Sequence, residues 1–214
     1  MTPEVASKET ERLCKLAPVI PVLDVDHVAH AVPLAKALIA GGLPVLEVTL
    51  RTPAALAVIC EMSQIEGGYV GAGTLLSQTD VIAARKAGAI FGVSPGATDN
   101  LLDACEGENL PVLPGAATAS EVMHLFACGY RVQKFFPAEV NGGVSALKAI
   151  GAPIPQVAFC PTGGISLLNA SSYLRLSNTL CVGGSWVAPK QLIQEENWDA
   201  ITGLAREASL LSAE

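Results

Sequence analysis

The chain has 214 residues, 50% of them hydrophobic and only 15% charged, with 13 basic against 20 acidic side chains and a net charge of −7. That balance excludes global disorder, suits one domain with a substantial core, and disfavours nucleic acid or an anionic membrane surface as a general partner. No apolar run reaches the roughly 18 residues of a membrane helix. Met1-Thr2-Pro3-Glu4-Val5 lacks a signal-peptide pattern, and the six cysteines are scattered with no Cys-x-x-Cys pair, so a soluble, cytoplasmic protein with free thiols is expected.

An amphipathic helix is expected over Val5 to Leu16. From there short β-branched runs alternate with longer Ala- and Leu-rich segments, without a linker. The first run is Pro18 to Leu23, followed by a helix from about Val28 to Ala40 that stops at Gly41-Gly42. Val45 to Arg51 is the second strand, with a helix after Thr52-Pro53, and Tyr69 to Thr74 the third, with a helix opening at Ser77 or Thr79. Ile90 to Pro95, Leu110 to Gly115, Val132 to Ala138, Gln156 to Pro161 and Thr179 to Gly183 complete the set. Eight strands, each followed by a helical segment at intervals of roughly 20 to 30 residues, predict a (β/α)8 TIM barrel with an N-terminal helix, one domain over residues 1–214. A doubly wound open sheet alternates likewise but carries its glycine fingerprint after the first strand. Here Gly71-Ala72-Gly73-Thr74-Leu75-Leu76 follows the third and has Leu76 where the last glycine belongs, so NAD and FAD are set aside.

The sixth strand holds the most informative residue. Period-two alternation puts Val132, Lys134 and Phe136 on one face and Gln133 and Phe135 on the other. A lysine is rarely buried without a reason; desolvation disfavours the ammonium form and turns the amine into a nucleophile toward a carbonyl carbon. The alternative is a lysine at a strand end whose stem is buried and whose head reaches water.

In a barrel, chemistry collects at the carboxyl ends of the strands. On the second strand Glu47, Thr49 and Arg51 share a face, which brings a carboxylate and a guanidinium to the mouth beside Lys134; a Glu47–Lys134 ion pair without chemistry is the plain alternative. Gly71, Gly73 and Thr74 end the third strand with small residues, as a tight turn would also require. The last two strands end in Pro161-Thr162-Gly163-Gly164-Ile165-Ser166 and Gly183-Gly184-Ser185-Trp186. Paired glycine loops there point to a phosphorylated ligand, held by backbone N–H groups. His27, His30 and His124 fall on the helical layer, and no metal-ligand spacing accompanies them, so no metal or other cofactor is expected.

These motifs, in this order and spacing, resemble the bacterial 2-keto-3-deoxy-6-phosphogluconate (KDPG) aldolases, a class I Schiff-base family that also acts on 4-hydroxy-2-oxoglutarate. The resemblance rests on Leu46-Glu47-Val48-Thr49-Leu50-Arg51, Gly71-Ala72-Gly73-Thr74, Ser94-Pro95-Gly96, Lys134-Phe135-Phe136-Pro137-Ala138-Glu139 and the two late glycine loops. It implies Lys134 as the Schiff-base lysine, Glu47 as general acid/base, and Arg51 and Thr74 as holders of the pyruvyl carboxylate end. Pro95, Phe136 and Thr162 become substrate-binding positions, and Gly163, Gly164, Gly184 and Ser185 the phosphate grip. It further implies a homotrimer acting on a small phosphorylated keto acid in the Entner–Doudoroff route. Three rivals stand beside it: an enzyme acting mainly on 4-hydroxy-2-oxoglutarate, a phosphosugar isomerase or epimerase, and a non-catalytic phosphosugar-binding barrel.

Overall fold

A computed structural model describes residues 1–211 of the chain. Helix α1 spans Pro3–Cys14 rather than Val5 to Leu16, because the Thr2 hydroxyl caps it by accepting from the Val5 N–H at 3.4 Å and Pro3 sits where no helical donor is lost. Strands and helices then alternate as β1 (Val19–Leu23), α2 (Ala31–Ala40), β2 (Val45–Thr49), α3 (Ala55–Met62), β3 (Tyr69–Gly73), α4 (Gln78–Lys86), β4 (Phe91–Val93) and α5 (Asp99–Gly107). The second half runs β5 (Val112–Leu113), β6 (Gly115–Ala116), α6 (Ala119–Ala127), β7 (Val132–Phe135), α7 (Gly143–Gly151), β8 (Ala158–Pro161), α8 (Ala170–Leu174), β9 (Val182–Gly184), α9 (Lys190–Gln194) and α10 (Trp198–Ser209). Of the two candidate openings of α4, Ser77 is the cap, accepting from Asp80 N at 3.2 Å.

Every strand pairing is parallel, as an alternating strand–helix chain requires. One sheet runs β5-β4-β3-β2-β1-β9 and a second runs β6-β7-β8. The fifth expected strand, Leu110 to Gly115, is divided, because Pro114 has no N–H to continue the ladder. On one side of the break β5 pairs with β4, and on the other β6 pairs with β7. At the other flank, parallel bridges Phe159↔Thr179 and Thr162↔Gly183 connect β8 with the run into β9. The outcome is a curled parallel sheet with helices on its outer surface.

The pleat sorts side chains into two layers. Outward residues such as Val48, Phe135, Phe159 and Val182 pack with Leu34, Leu38, Ile59 and Leu147 of the helices. Inward residues Ile20, Val45, Phe91, Val93, Leu113, Val132, Cys160 and Cys181 pack with one another and with Leu13 and Cys14 of α1, which reaches beneath the sheet. Outward Gln133 is fully buried, with its Nε2 donating to Val122 O at 3.2 Å and Tyr130 O at 3.0 Å.

Candidate active site

The inward face of β7 carries Val132 in the apolar interior and Lys134 one step nearer the strand's carboxyl end, so the lysine emerges where the hydrophobic filling stops. Lys134 is 6% exposed and Glu47, on β2, is 3% exposed; Nζ lies 3.2 Å from Oε1. Taking two charges out of water costs several kcal/mol per ion, so leaving either without the other is strongly unfavourable. Burial pushes the Glu47 carboxyl above its ordinary range, opposed by the charge and hydrogen bond of Lys134. The Phe136 ring lies 5.2 Å from Nζ, giving the ammonium an aromatic face.

Room for the Glu47 side chain comes from β3. A Cβ on Gly73 would overlap the Glu47 carboxyl, and one on Gly71 would overlap the Phe91 ring. Past Tyr69 the inward face of β3 is bare, so that its neighbours' side chains fit. Thr74 follows at φ 63, a strained conformation for a β-branched residue.

Above the pair opens a cleft of about 160 Å³ lined by Val22, Arg51, Phe136, Thr162, Ile165 and Ser185 with Gly163, Gly164, Gly183 and Gly184. The structure therefore brings together Arg51, Phe136, Thr162, Gly163, Gly164, Gly184 and Ser185 at one opening, with Lys134 and Glu47 buried in the interior next to it. Thr74 and Pro95 are half-buried beyond the ends of β3 and β4, at the same rim but outside the cleft lining. Arg51 reaches the mouth from a turn rather than from the expected strand: β2 ends at Thr49, and the guanidinium, its side chain 54% exposed, lines the cleft from the turn that follows. It is held there by Asp24, with Nη2 2.9 Å from Oδ2, while the Thr49 hydroxyl donates to the other oxygen of the same carboxylate. Sequence reasoning passed over Asp24, although it directly follows β1 and continues the inward series Ile20, Val22.

The two glycine pairs meet different needs. Gly163 and Gly164 adopt φ of 102 and 77, which side-chain-bearing residues avoid. At Gly183 and Gly184 the constraint is contact, since a Cβ there would overlap Thr162 and the Trp186 ring respectively. The missing side chain of Gly184 makes room for the Trp186 ring. Ser185 opens a turn rather than a helix.

The histidines lie elsewhere: His30 is 3.5 Å from Glu196 and His124 is 3.0 Å from Asp99. Among the described residues no group of three or more His, Cys, Asp or Glu side chains is placed to hold a metal ion, and no helix is long and apolar enough to cross a membrane.

A parallel α/β fold with an amine and a carboxylate buried together at the carboxyl ends of its strands is the architecture of a lysine-dependent enzyme. Comparison with known proteins specifies which kind. The aldolase family described as KDPG and KHG aldolase, where KHG is 4-hydroxy-2-oxoglutarate, matches residues 10–204, and this chain belongs to that family. A relative from Pseudoalteromonas atlantica, a 2-dehydro-3-deoxy-phosphogluconate aldolase, is 52% identical over 192 residues, 89% of each chain. The 2-keto-3-deoxy-6-phosphogluconate aldolase of Zymomonas mobilis ZM4, solved with 3-phosphoglycerate, superposes with a TM-score of 0.91 at 45% identity, covering 96% of this chain and 97% of that one. The KDPG aldolase of Legionella pneumophila, with pyruvate captured at low pH as a covalent carbinolamine intermediate, superposes at 0.90 with 44% identity, covering 93% and 97%.

Proposed function

We propose that this chain is a class I aldolase that cleaves 2-dehydro-3-deoxy-6-phosphogluconate to pyruvate and glyceraldehyde 3-phosphate, with Lys134 as the nucleophile. The observation that carries the reading is the buried Lys134–Glu47 pair beside a cleft built from glycine loops. Glu47 takes a proton from the Lys134 ammonium, the freed amine attacks the C2 carbonyl to give a carbinolamine, and the carboxyl returns that proton as the hydroxyl leaves as water, giving an iminium, an electron sink that needs no metal. Glu47 takes the proton of the C4 hydroxyl; the C3–C4 bond breaks with its electron pair passing into the iminium, and the aldehyde departs from the resulting enamine. The same carboxyl returns a proton to C3, and hydrolysis of the imine frees pyruvate. A carboxyl raised by burial suits a group that must both accept and donate.

Arg51, steadied by Asp24, and Thr74 hold the pyruvyl carboxylate, with Pro95 shaping the neighbouring rim. Thr162, Gly163, Gly164, Gly184 and Ser185 receive the phosphate across the cleft from Arg51. The pyruvyl half is common to 4-hydroxy-2-oxoglutarate, so that substrate is cleaved too, without use of the phosphate grip. We further read the sheet as one closed (β/α)8 domain; chain continuity through Pro114 and the bridges from β8 toward β9 support closure. Six free cysteines fit a reducing cytoplasm. The family resemblance supports a homotrimer, which the mass in solution tests.

Incubation with pyruvate and borohydride tests the central assignment. A reduced adduct is expected on Lys134 and on no other lysine by peptide mass spectrometry. An unmodified protein, or an adduct elsewhere, overturns it.

A further inference from the structure

We infer that Glu139 and Tyr173 form a positioning pair that sets the Gly163–Gly164 loop for the phosphate; the inference rests on the reading of that loop as the phosphate grip. Glu139 stands in the turn after β7 and does not line the cleft. It approaches the loop from behind. Its backbone N–H donates to Gly163 O at 3.1 Å, next to a bond from Ala138 N to Thr162 O at 2.8 Å. Its side chain fills the space on the far side of Gly164, where an added Cβ would come within 2.7 Å of the Glu139 Cβ and Cγ.

The carboxylate is then fixed by Tyr173, the phenol of α8, which donates to Glu139 Oε1. Tyr173 is fully buried, and α8 is the helix into which the Gly163–Gly164 loop runs. Burial first, and the carboxylate second, push the Tyr173 phenol upward, so it remains a donor at neutral pH. Gly143, at the start of α7, completes the enclosure: a Cβ there would lie 3.2 Å from Glu139 Oε1 and 3.3 Å from the Tyr173 hydroxyl. At the loop's other side, Asn169 Nδ2 donates to Gly164 O at 3.2 Å.

A carboxylate behind an anion-binding loop is unfavourable unless its charge is committed elsewhere, and the tyrosine commits it. Removing the hydroxyl leaves the side chain packed behind Gly164 unfixed and loosens the loop, an effect felt by a phosphoryl group and not by the imine chemistry around Lys134. Tyr173→Phe is therefore expected to raise KM for the phosphorylated substrate about tenfold, with kcat nearly constant, while KM for 4-hydroxy-2-oxoglutarate and adduct formation with pyruvate stay near wild type. Glu139→Ala should act likewise and Glu139→Gln should restore most of the affinity, since its carbonyl still accepts from the phenol. These variants keep the inference testable if one of them folds poorly. Equal KM changes on both substrates, or none, overturn the positioning role while leaving the aldolase reading intact. A wild type that forms no pyruvate adduct overturns the aldolase reading, and the inference with it.

Discussion

The space enclosed by the curled sheet has two halves of opposite character. The lower half is an apolar plug in which Leu13 and Cys14 of the N-terminal helix meet Ile20, Val45, Phe91, Leu113, Val132, Cys160 and Cys181, with the Cys160 and Cys181 sulfurs 3.5 Å apart. The upper half, one pleat further along the same strands, holds Glu47, Lys134 and Thr162 with glycines at positions 71, 73 and 183. The same backbone periodicity thus makes a floor that contributes stability and a mouth that gives up some of it for chemistry. Moving two residues along a strand moves a side chain from one regime to the other.

Substitutions separate the halves. The largest effect is expected at the mouth: Lys134→Arg keeps the positive charge but cannot form an imine, so kcat should fall by at least about 10³-fold while the thermal midpoint changes little. Substantial residual turnover would remove the imine from the mechanism. On the floor, Leu13→Ala leaves a cavity in the plug and should cost about 2–5 kcal/mol in urea unfolding with kcat preserved. A parallel loss of kcat would mean that the floor and the mouth are not independent. The smallest effect is again at the mouth, where Glu47→Gln should lower kcat by about 10²-fold. Its sign with pH follows from the raised carboxyl: the base form is lost as pH falls, so the acid limb of the wild-type profile lies above the ordinary carboxylate range, and the variant should lack that limb. An unchanged limb would place the titration on another group.

Much of this division was legible in the chain. Strand order and inward faces follow from period-two alternation, and Glu47, Lys134 and the glycine loops fall at strand ends as the parallel architecture demands. What escaped has identifiable causes. Pro114 divides the fifth strand although a proline inside a β-run is itself a warning. The second strand was extended two residues past Thr49, so that Arg51 reaches the mouth from a turn, and the carboxylate that holds the guanidinium, Asp24, lies 27 residues away in a segment with no motif. Tyr173 and Glu139 are 34 residues apart, one on a helix and one in a turn, so no local pattern joins them. The glycines of β3 carry no sign of what occupies the vacated space: the Phe91 ring and the Glu47 carboxyl come from neighbouring strands and are visible only once the strands are paired.

The two groups of the buried ion pair are separated by 87 residues, and their strands belong to different sheets. Neither sheet contains a site by itself. A folding chain can form its helices and pair β1 through β5 while the amine is still hydrated and the carboxylate still alone, and only the long-range docking of β7 brings them together. Such non-local closure is the slow part of folding for parallel sheets. Recovery of turnover after dilution from denaturant should therefore trail recovery of helical signal, which makes the buried pair a clock for the last step of folding.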